Sequence, residues 1–323
     1  MSLEKKWQDI IIHAPDPAEA WAGIFKGLLD CASATPSPVE LHKQTIPADR
    51  LLSEASWELW KSYSASASIT STKLVSWCKE SVQSGKAVLI LDALSLNELP
   101  LILGGARNKN SAPSKVSITG SEIPSDTDSF ARALGVPSRS SFQNNRAPSG
   151  FKLFKGAFFT EVFAHPFADC CGLIPPAKNV FIWHTWLDDM IHLYKKTPDQ
   201  IHSAAIAAFQ SDDFWKFINT LRQGRTLVIT GDHGYTNSRL FSSEETEQEN
   251  IEAFRNTFSA SRYASIREPW NHSCMPPCVL STDDYHVIMG QKKWKVQGGF
   301  PALCHGGLTL LEVAVPFIEI PAL

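Results

Sequence analysis

Four short apolar runs, at residues 87–91, 116–119, 180–183 and 226–230, alternate with longer segments of helical spacing from Lys86 onward. The runs read as buried strands, and the helical candidates between them lie at 128–134, 186–195 and 199–221. A chain that alternates buried strands with helices folds as α/β, with a mainly parallel sheet covered by helices. This pattern sets the fold class before any single residue is considered.

The first eighty or so residues have a different texture. Asp16, Pro17 and Glu19 combine an N-cap acid, proline at the first helical position and an acid at N3. Trp21, Ile24, Phe25, Leu28 and Leu29 then recur at helical spacing, and a Ser/Pro-rich connection at 34–38 should follow the helix. A second aromatic-bearing helix is expected around 57–63. Residues 1–85 therefore read as a helical N-terminal extension, and 86–323 as the α/β domain. Farther on, 243–258 begins Ser-Glu-Glu and fits a solvated surface helix. Residues 278–280, 285–289 and 294–296 read as short strands, an antiparallel extension or cap near a site.

With 323 residues and 43% hydrophobic content, the chain can bury a sizeable core. A net charge of -3 supplies no general attraction for nucleic acid. No run approaches the roughly 18 apolar residues of a membrane span. Residues 1–9 are charged and do not read as a secretory signal, so the expected compartment is the cytoplasm. Seven cysteines without a regular framework read as reduced thiols. Cys274 and Cys278 have a spacing that could serve a metal, but no second pair completes a tetrahedral site.

The strand ends carry the chemistry. Asp92 directly follows the run 87–91, so its carboxylate should project where open α/β sheets build their sites. The run 226–230 leads into Gly231-Asp232-His233-Gly234, which sets an acid beside an imidazole. That mixture suits zinc, manganese or iron, whereas Asp-His-Gly could also be a simple turn. After 180–183, Asp188 and His192 stand four apart and share a helix face, with Asp189 as the competing carboxylate. His305 precedes Gly306 and Gly307, which let backbone crowd close to whatever the imidazole binds. Thr127 lies between the run 116–119 and the helical 128–134. Its hydroxyl should sit at a helix N-terminus, either as a nucleophile near a phosphate or as an N-cap.

Taken in order, these segments resemble the alkaline phosphatase superfamily and most closely the PglZ family. The resemblance rests on the strand with Asp92-Ala93-Leu94, on Pro124-Ser125-x-Thr127 and Phe130-Ala131-Arg132, and on Asp188-x-x-x-His192. Asp232-His233-Gly234 and His305-Gly306-Gly307, followed by Glu312 and Pro316, complete it. It covers most of 86–321.

The resemblance implies an alkaline-phosphatase-like core and two divalent metal ions, zinc or manganese. One would be held by Asp188, His192 and His305, the other by Asp92, Thr127, Asp232 and His233. Two ions about 4 Å apart clamp the attacking and leaving oxygens of an in-line displacement. Thr127 would attack phosphorus and metal-activated water would release the product, making the chain a phosphodiesterase or phosphatase. The substrate would be a phosphate ester, such as a nucleotide or oligonucleotide. Arg132 is the candidate phosphate-binding cation or else a member of a surface ion pair. Ser95 and Leu96 depart from the arginine and aromatic common in the family. Thr127 is followed by Asp128-Ser129-Phe130, which disfavours sulfatase chemistry. PglZ domains occur in phage-exclusion systems and in some signalling proteins, so phage-defence partners are expected. The alternative is a non-enzymatic, metal-stabilised interaction module of such a system.

Overall fold

The computed structural model describes residues 3–35, 37–81, 83–194, 197–270 and 278–323. Six strands form the main sheet: Gly85–Leu91 (β1), Lys115–Gly120 (β2), Phe159–Phe163 (β3), Asn179–His184 (β4), Arg225–Thr230 (β5) and Ala314–Ile320 (β6). Their order is β2-β6-β5-β1-β4-β3. β1 pairs in parallel with β4 and β5, and β3 in parallel with β4. β6 runs antiparallel between β5 and β2. β1 is buried at all seven positions, as a strand covered on both faces must be.

The apolar runs thus form the expected strands, but β3 had no such run. Its burial is patchy along Phe159–Phe163, as befits a strand at the sheet edge. The apolar stretch before the C-terminus divides. Leu310–Val313 makes one helical turn, closed by a capping box between Thr309 and Glu312, and the chain then enters β6.

Five helices precede β1: Leu3–Ile11 (α1), Pro17–Ala34 (α2), Pro38–Glu54 (α3), Glu58–Ser66 (α4) and Thr70–Lys79 (α5). Asp16 caps α2 by accepting the Glu19 N–H at 2.9 Å. α2 continues through Ala34, into the expected connection. α3 begins with the Ser37 hydroxyl accepting from Glu40 N, and it carries Pro47 within the helix. Trp21 stands 4.8 Å from both Trp60 and Tyr63, ring centre to ring centre. The same buried cluster includes Leu89 and Leu91 of β1, so these helices share the core of the sheet.

The remaining helices are Leu99–Asn108 (α6), Thr127–Ala133 (α7), Phe167–Cys170 (α8), Trp186–Leu193 (α9), Pro198–Phe209 (α10), Asp212–Leu221 (α11) and Gln248–Phe258 (α12). The single helix expected over 199–221 is broken at Ser211, whose hydroxyl accepts from Phe214 N and starts a new helix. The acidic segment 243–258 also differs. Ser243–Glu244 pairs with Lys292–Lys293, and α12 buries Ile251, Phe254 and Phe258 against Trp294. Residues 294–296 are not a strand, because Trp294 is a core residue of that packing. Tyr263–Ser265, Tyr285–Ile288 and Val279–Ser281 make a small antiparallel sheet. None of the six described cysteines forms a disulfide, and Cys274 lies outside the described residues. No described helix is long and apolar enough to cross a membrane.

Candidate active site

The ends of β1 and β5 bring Asp92 and Asp232 together, both wholly buried. Ala93 takes a left-handed conformation, φ 61°, which is uncommon for a residue with a Cβ. That turn lets the Ala93 N–H donate to Asp232 Oδ1 at 2.9 Å, so the two acidic loops are joined by backbone. Burial, and then the neighbouring Asp92 carboxylate, push the Asp232 carboxyl up to about 7.

Thr127 is the first residue of α7, and the N-cap is Asp126, whose carboxylate accepts from Ser129 N. The threonine hydroxyl is therefore not spent on capping. It donates to Asp232 Oδ2 at 2.8 Å, and lies 3.4 Å from Asp92 Oδ1 and 3.5 Å from His233 Nε2.

His233 holds the Gly234 carbonyl through Nδ1 at 2.9 Å, which leaves Nε2 facing the two carboxylates. Its ring stacks on that of His305 with centres 4.3 Å apart. Although burial opposes protonation, Asp232 and Asp92 hold the His233 imidazole above its usual range. The His305 Nδ1 lies 3.4 Å from the Ser125 carbonyl. Burial, and then His233, push the His305 imidazole down to about 3.

On α9 the two adjacent carboxylates differ in burial and partners. Asp189 accepts from the Thr185 hydroxyl at 2.6 Å and is exposed, whereas Asp188 is buried. Asp188 Oδ1 is buried without a hydrogen-bond partner among the described residues. Its carboxyl is raised by burial and by Asp92. His192 Nε2 stands 3.5 Å from Asp188 Oδ2, with a side chain 67% exposed at the rim.

Ligand atoms within 4.8 Å of one another form two groups, Asp92-Asp232-His233 and Asp188-His233-His305. The residues fit divalent metal ions. Three desolvated carboxylates repel one another, one of them keeps a buried oxygen with no hydrogen-bond partner among the described residues, and two imidazoles have their Nδ1 atoms engaged elsewhere. Compared with the expected division, His233 stands in both groups, and His192 touches the second through Asp188.

Two neighbours were not singled out by sequence. Arg139 forms an ion pair with Asp92 Oδ2, and Trp183 Nε1 donates to the same oxygen at 2.9 Å. Arg139 sits in Ser138-Arg139-Ser140, a polar stretch with no periodic signal. For Trp183, the need of a buried indole N–H for an acceptor was the available clue. Arg132 donates instead to Ser129 Oγ and Tyr285 OH, both at 3.0 Å, along a separate cleft of about 400 Å³.

The His305 loop rests on a buried ion pair. Glu312 accepts from Arg262 Nε at 3.1 Å and Nη2 at 3.0 Å, and from the N–H groups of Gly307 and Thr309. Gly306, φ 93°, packs so near Tyr263 that a Cβ would stand 2.5 Å from its ring. The crowding that two glycines permit is thus against Tyr263 and Arg262.

The sequence profile of the BREX system PglZ alkaline phosphatase-like domain matches residues 156–320, just over half of the chain. The chain belongs to the PglZ family. The PglZ match takes in Asp188, His192, Asp232, His233 and His305, and begins after Asp92, Thr127 and Arg139. Among solved structures, the PglZ chain is similar to an inactive variant of murine ectonucleotide pyrophosphatase/phosphodiesterase 5 in complex with AMP. The two are 12% identical over 73% of this chain and 88% of that one, with a TM-score of 0.47. It is also similar to phosphonoacetate hydrolase from Sinorhizobium meliloti 1021 in complex with phosphonoformate, at 12% identity, 75% and 91% coverage, and a TM-score of 0.46. No curated protein matches the chain.

Proposed function

We propose that this PglZ chain is a metal-dependent phosphoester hydrolase, a phosphodiesterase or phosphatase, with Thr127 as nucleophile. The observation that carries the reading is the Thr127 hydroxyl, held at 2.8 Å by Asp232 Oδ2 among the metal-type ligands while Asp126 does the capping. Asp92, Asp232 and His233 would hold one ion, and Asp188 and His305 another with His192 at the rim; the candidates are zinc and manganese. Such ions lower the pKa of a hydroxyl and neutralise phosphoryl charge.

The chain's own residues supply the rest. The Asp232 hydrogen bond fixes the rotamer of the Thr127 hydroxyl, which gives up its proton to solvent as its oxygen attacks phosphorus, and the ester oxygen departs with the bonding electrons and takes a proton from solvent. Water then cleaves the phosphothreonine and restores the hydroxyl. Arg139 uses one N–H on Asp92, and its remaining donors are available to phosphoryl oxygens. Residues 86–323 form the catalytic domain in this reading, and 1–85 its helical extension. We place the protein in a cytoplasmic phage-defence system on the strength of its family, with a nucleotide or oligonucleotide as the candidate ester.

The test is hydrolysis of bis(p-nitrophenyl) phosphate and p-nitrophenyl phosphate by protein of measured metal content. Thr127→Ala and Asp232→Ala should each lower kcat by roughly three orders of magnitude or more. Turnover that survives Thr127→Ala at the wild-type rate would sink the nucleophile assignment. No turnover of either ester, or of oligonucleotides, by the metal-loaded chain would favour the interaction module.

A further inference from the structure

Consecutive residues at the start of α7 reach different parts of the fold. Thr127 holds Asp232 beyond β5, and Asp126 caps the helix through Ser129 N. Ser125, wholly buried, holds the loop that carries His305.

The Ser125 side chain acts in two directions at once. Its oxygen accepts from the Gly306 N–H at 2.9 Å, and its proton goes to the Gly307 carbonyl at 3.0 Å. The Gly307 N–H donates in turn to Glu312 Oε1 at 3.0 Å, so this glycine is held from both sides. A hydroxyl is the smallest side-chain group that accepts and donates together. Its removal takes a partner from two buried backbone groups beside His305.

The Ser125 carbonyl meets the ring itself. His305 Nδ1 lies 3.4 Å from it, and a carbonyl oxygen only accepts, so the contact favours the tautomer with the proton on Nδ1. Nε2 then keeps its lone pair. His233, stacked on the same ring at 4.3 Å, and Asp188 share a ligand group with His305. Only Asp126 separates Ser125 from Thr127, so a shift of the His305 loop reaches the hydroxyl through a single residue.

We propose that Ser125 is a positioning residue that registers the Thr127 segment against the His305 loop. Its hydroxyl locks the loop, and its carbonyl selects the imidazole tautomer that can bind an ion. This rests on the reading of Thr127 as nucleophile and His305 as ligand. One residue then governs both the affinity of the ion at Asp188 and His305 and the rate at which the hydroxyl attacks.

Ser125→Ala in the full chain tests this, with Ser121→Ala as control. Ser121 is likewise wholly buried, but its hydroxyl donates to the Glu122 carbonyl at 3.0 Å. In a chelator-competition titration with zinc, Ser125→Ala should lose roughly 10–100-fold in affinity at one of two sites. At saturating zinc, its kcat for bis(p-nitrophenyl) phosphate should still be down roughly tenfold or more, with KM within about twofold of wild type. Ser121→Ala should match wild type in both. Proton–nitrogen NMR of isotope-labelled histidines in the metal-free wild type, assigned with His305→Asn, should show His305 protonated at Nδ1. Unchanged zinc affinity in Ser125→Ala, kcat restored in full by saturating zinc, or a proton on Nε2 in the wild type would each overturn the proposal. The tautomer is read on the wild-type fold, so it decides the matter even if Ser125→Ala does not fold. Zinc affinity and tautomer need no ester turnover, so their failure is distinguishable from wild-type turnover in Thr127→Ala, which is the failure of the catalytic reading.

Discussion

Arg139 reaches from the short helical segment after α7 to pair with Asp92, the first residue beyond β1. Trp183 donates to the same carboxylate oxygen, so Asp92 is held from two directions. Burial works against the Arg139 charge, yet Asp92, Asp232 and Asp188 together keep the guanidinium firmly protonated. A cation so placed, with its side chain 31% exposed, borders both the buried carboxylates and the solvent, from which the proposed ester would arrive.

Arg139→Gln should therefore lower kcat/KM for phosphate esters by roughly 10–100-fold and weaken inhibition by inorganic phosphate in parallel. Arg139→Lys keeps the charge but loses the planar fork, and should recover only part of the loss. Steady-state kinetics with phosphate as inhibitor decide the matter. Unchanged phosphate inhibition in Arg139→Gln would remove the arginine from substrate binding.

The orphaned oxygen of Asp188 makes a different prediction. Asp188→Asn should reduce bound metal from two ions towards one per chain, with affinity at the affected site down roughly 10–100-fold. Metal analysis after equilibrium dialysis would show it. Asp189→Asn, at the exposed neighbour, should leave the content as in wild type.

Arg262 and Glu312 are fully buried, and both are committed to the loop that carries His305. Arg262→Met strands the Glu312 carboxylate in the core and should cost about 3–5 kcal/mol in urea unfolding. Pairing it with Glu312→Gln removes the stranded charge and should return part of that loss.

Asp49 offers a test by pH. It is buried on α3, accepting from Leu310 N at 2.7 Å and from Gln291 Nε2 at 2.9 Å. Burial pushes its carboxyl from 3.8 up to about 7, against the pull of those two hydrogen bonds. With the folded value above the unfolded one, its contribution to stability is full below the unfolded value and is lost as pH rises through about 7. Asp49→Asn lacks that titration. Its stability relative to wild type should improve by about 2 kcal/mol between pH values of about 5 and about 8. A constant difference across that range would refute the assignment.

The site was legible where its chemistry is local. An apolar run ending in Asp92 or in Asp232-His233 is a pattern a few residues long, and the fold places both carboxylates where such runs end. The i,i+4 spacing to His192 named Asp188 with Asp189 as its competitor, and the contact that sets the two apart in the structure is the Thr185 hydroxyl on Asp189. Arg139 and the Arg262-Glu312 pair were illegible for a related reason. Arg262 and Glu312 are 50 residues apart, and no local period announces their meeting. Elements went the same way. The α/β alternation foretold β1, β2, β4 and β5, while α3 was hidden by Pro47 within it, and the break between α10 and α11 turned on the Ser211 hydroxyl alone.

The antiparallel insertion of β6 bears on how the protein is made. β2 has β6 as its neighbour in the sheet, and β6 emerges from the ribosome roughly two hundred residues later. Until then β2 and β5 each present an unpaired edge. A nascent chain halted before Ala314 would carry all of the proposed ligands and yet expose two adhesive strands, which makes it a client for chaperones rather than an early enzyme.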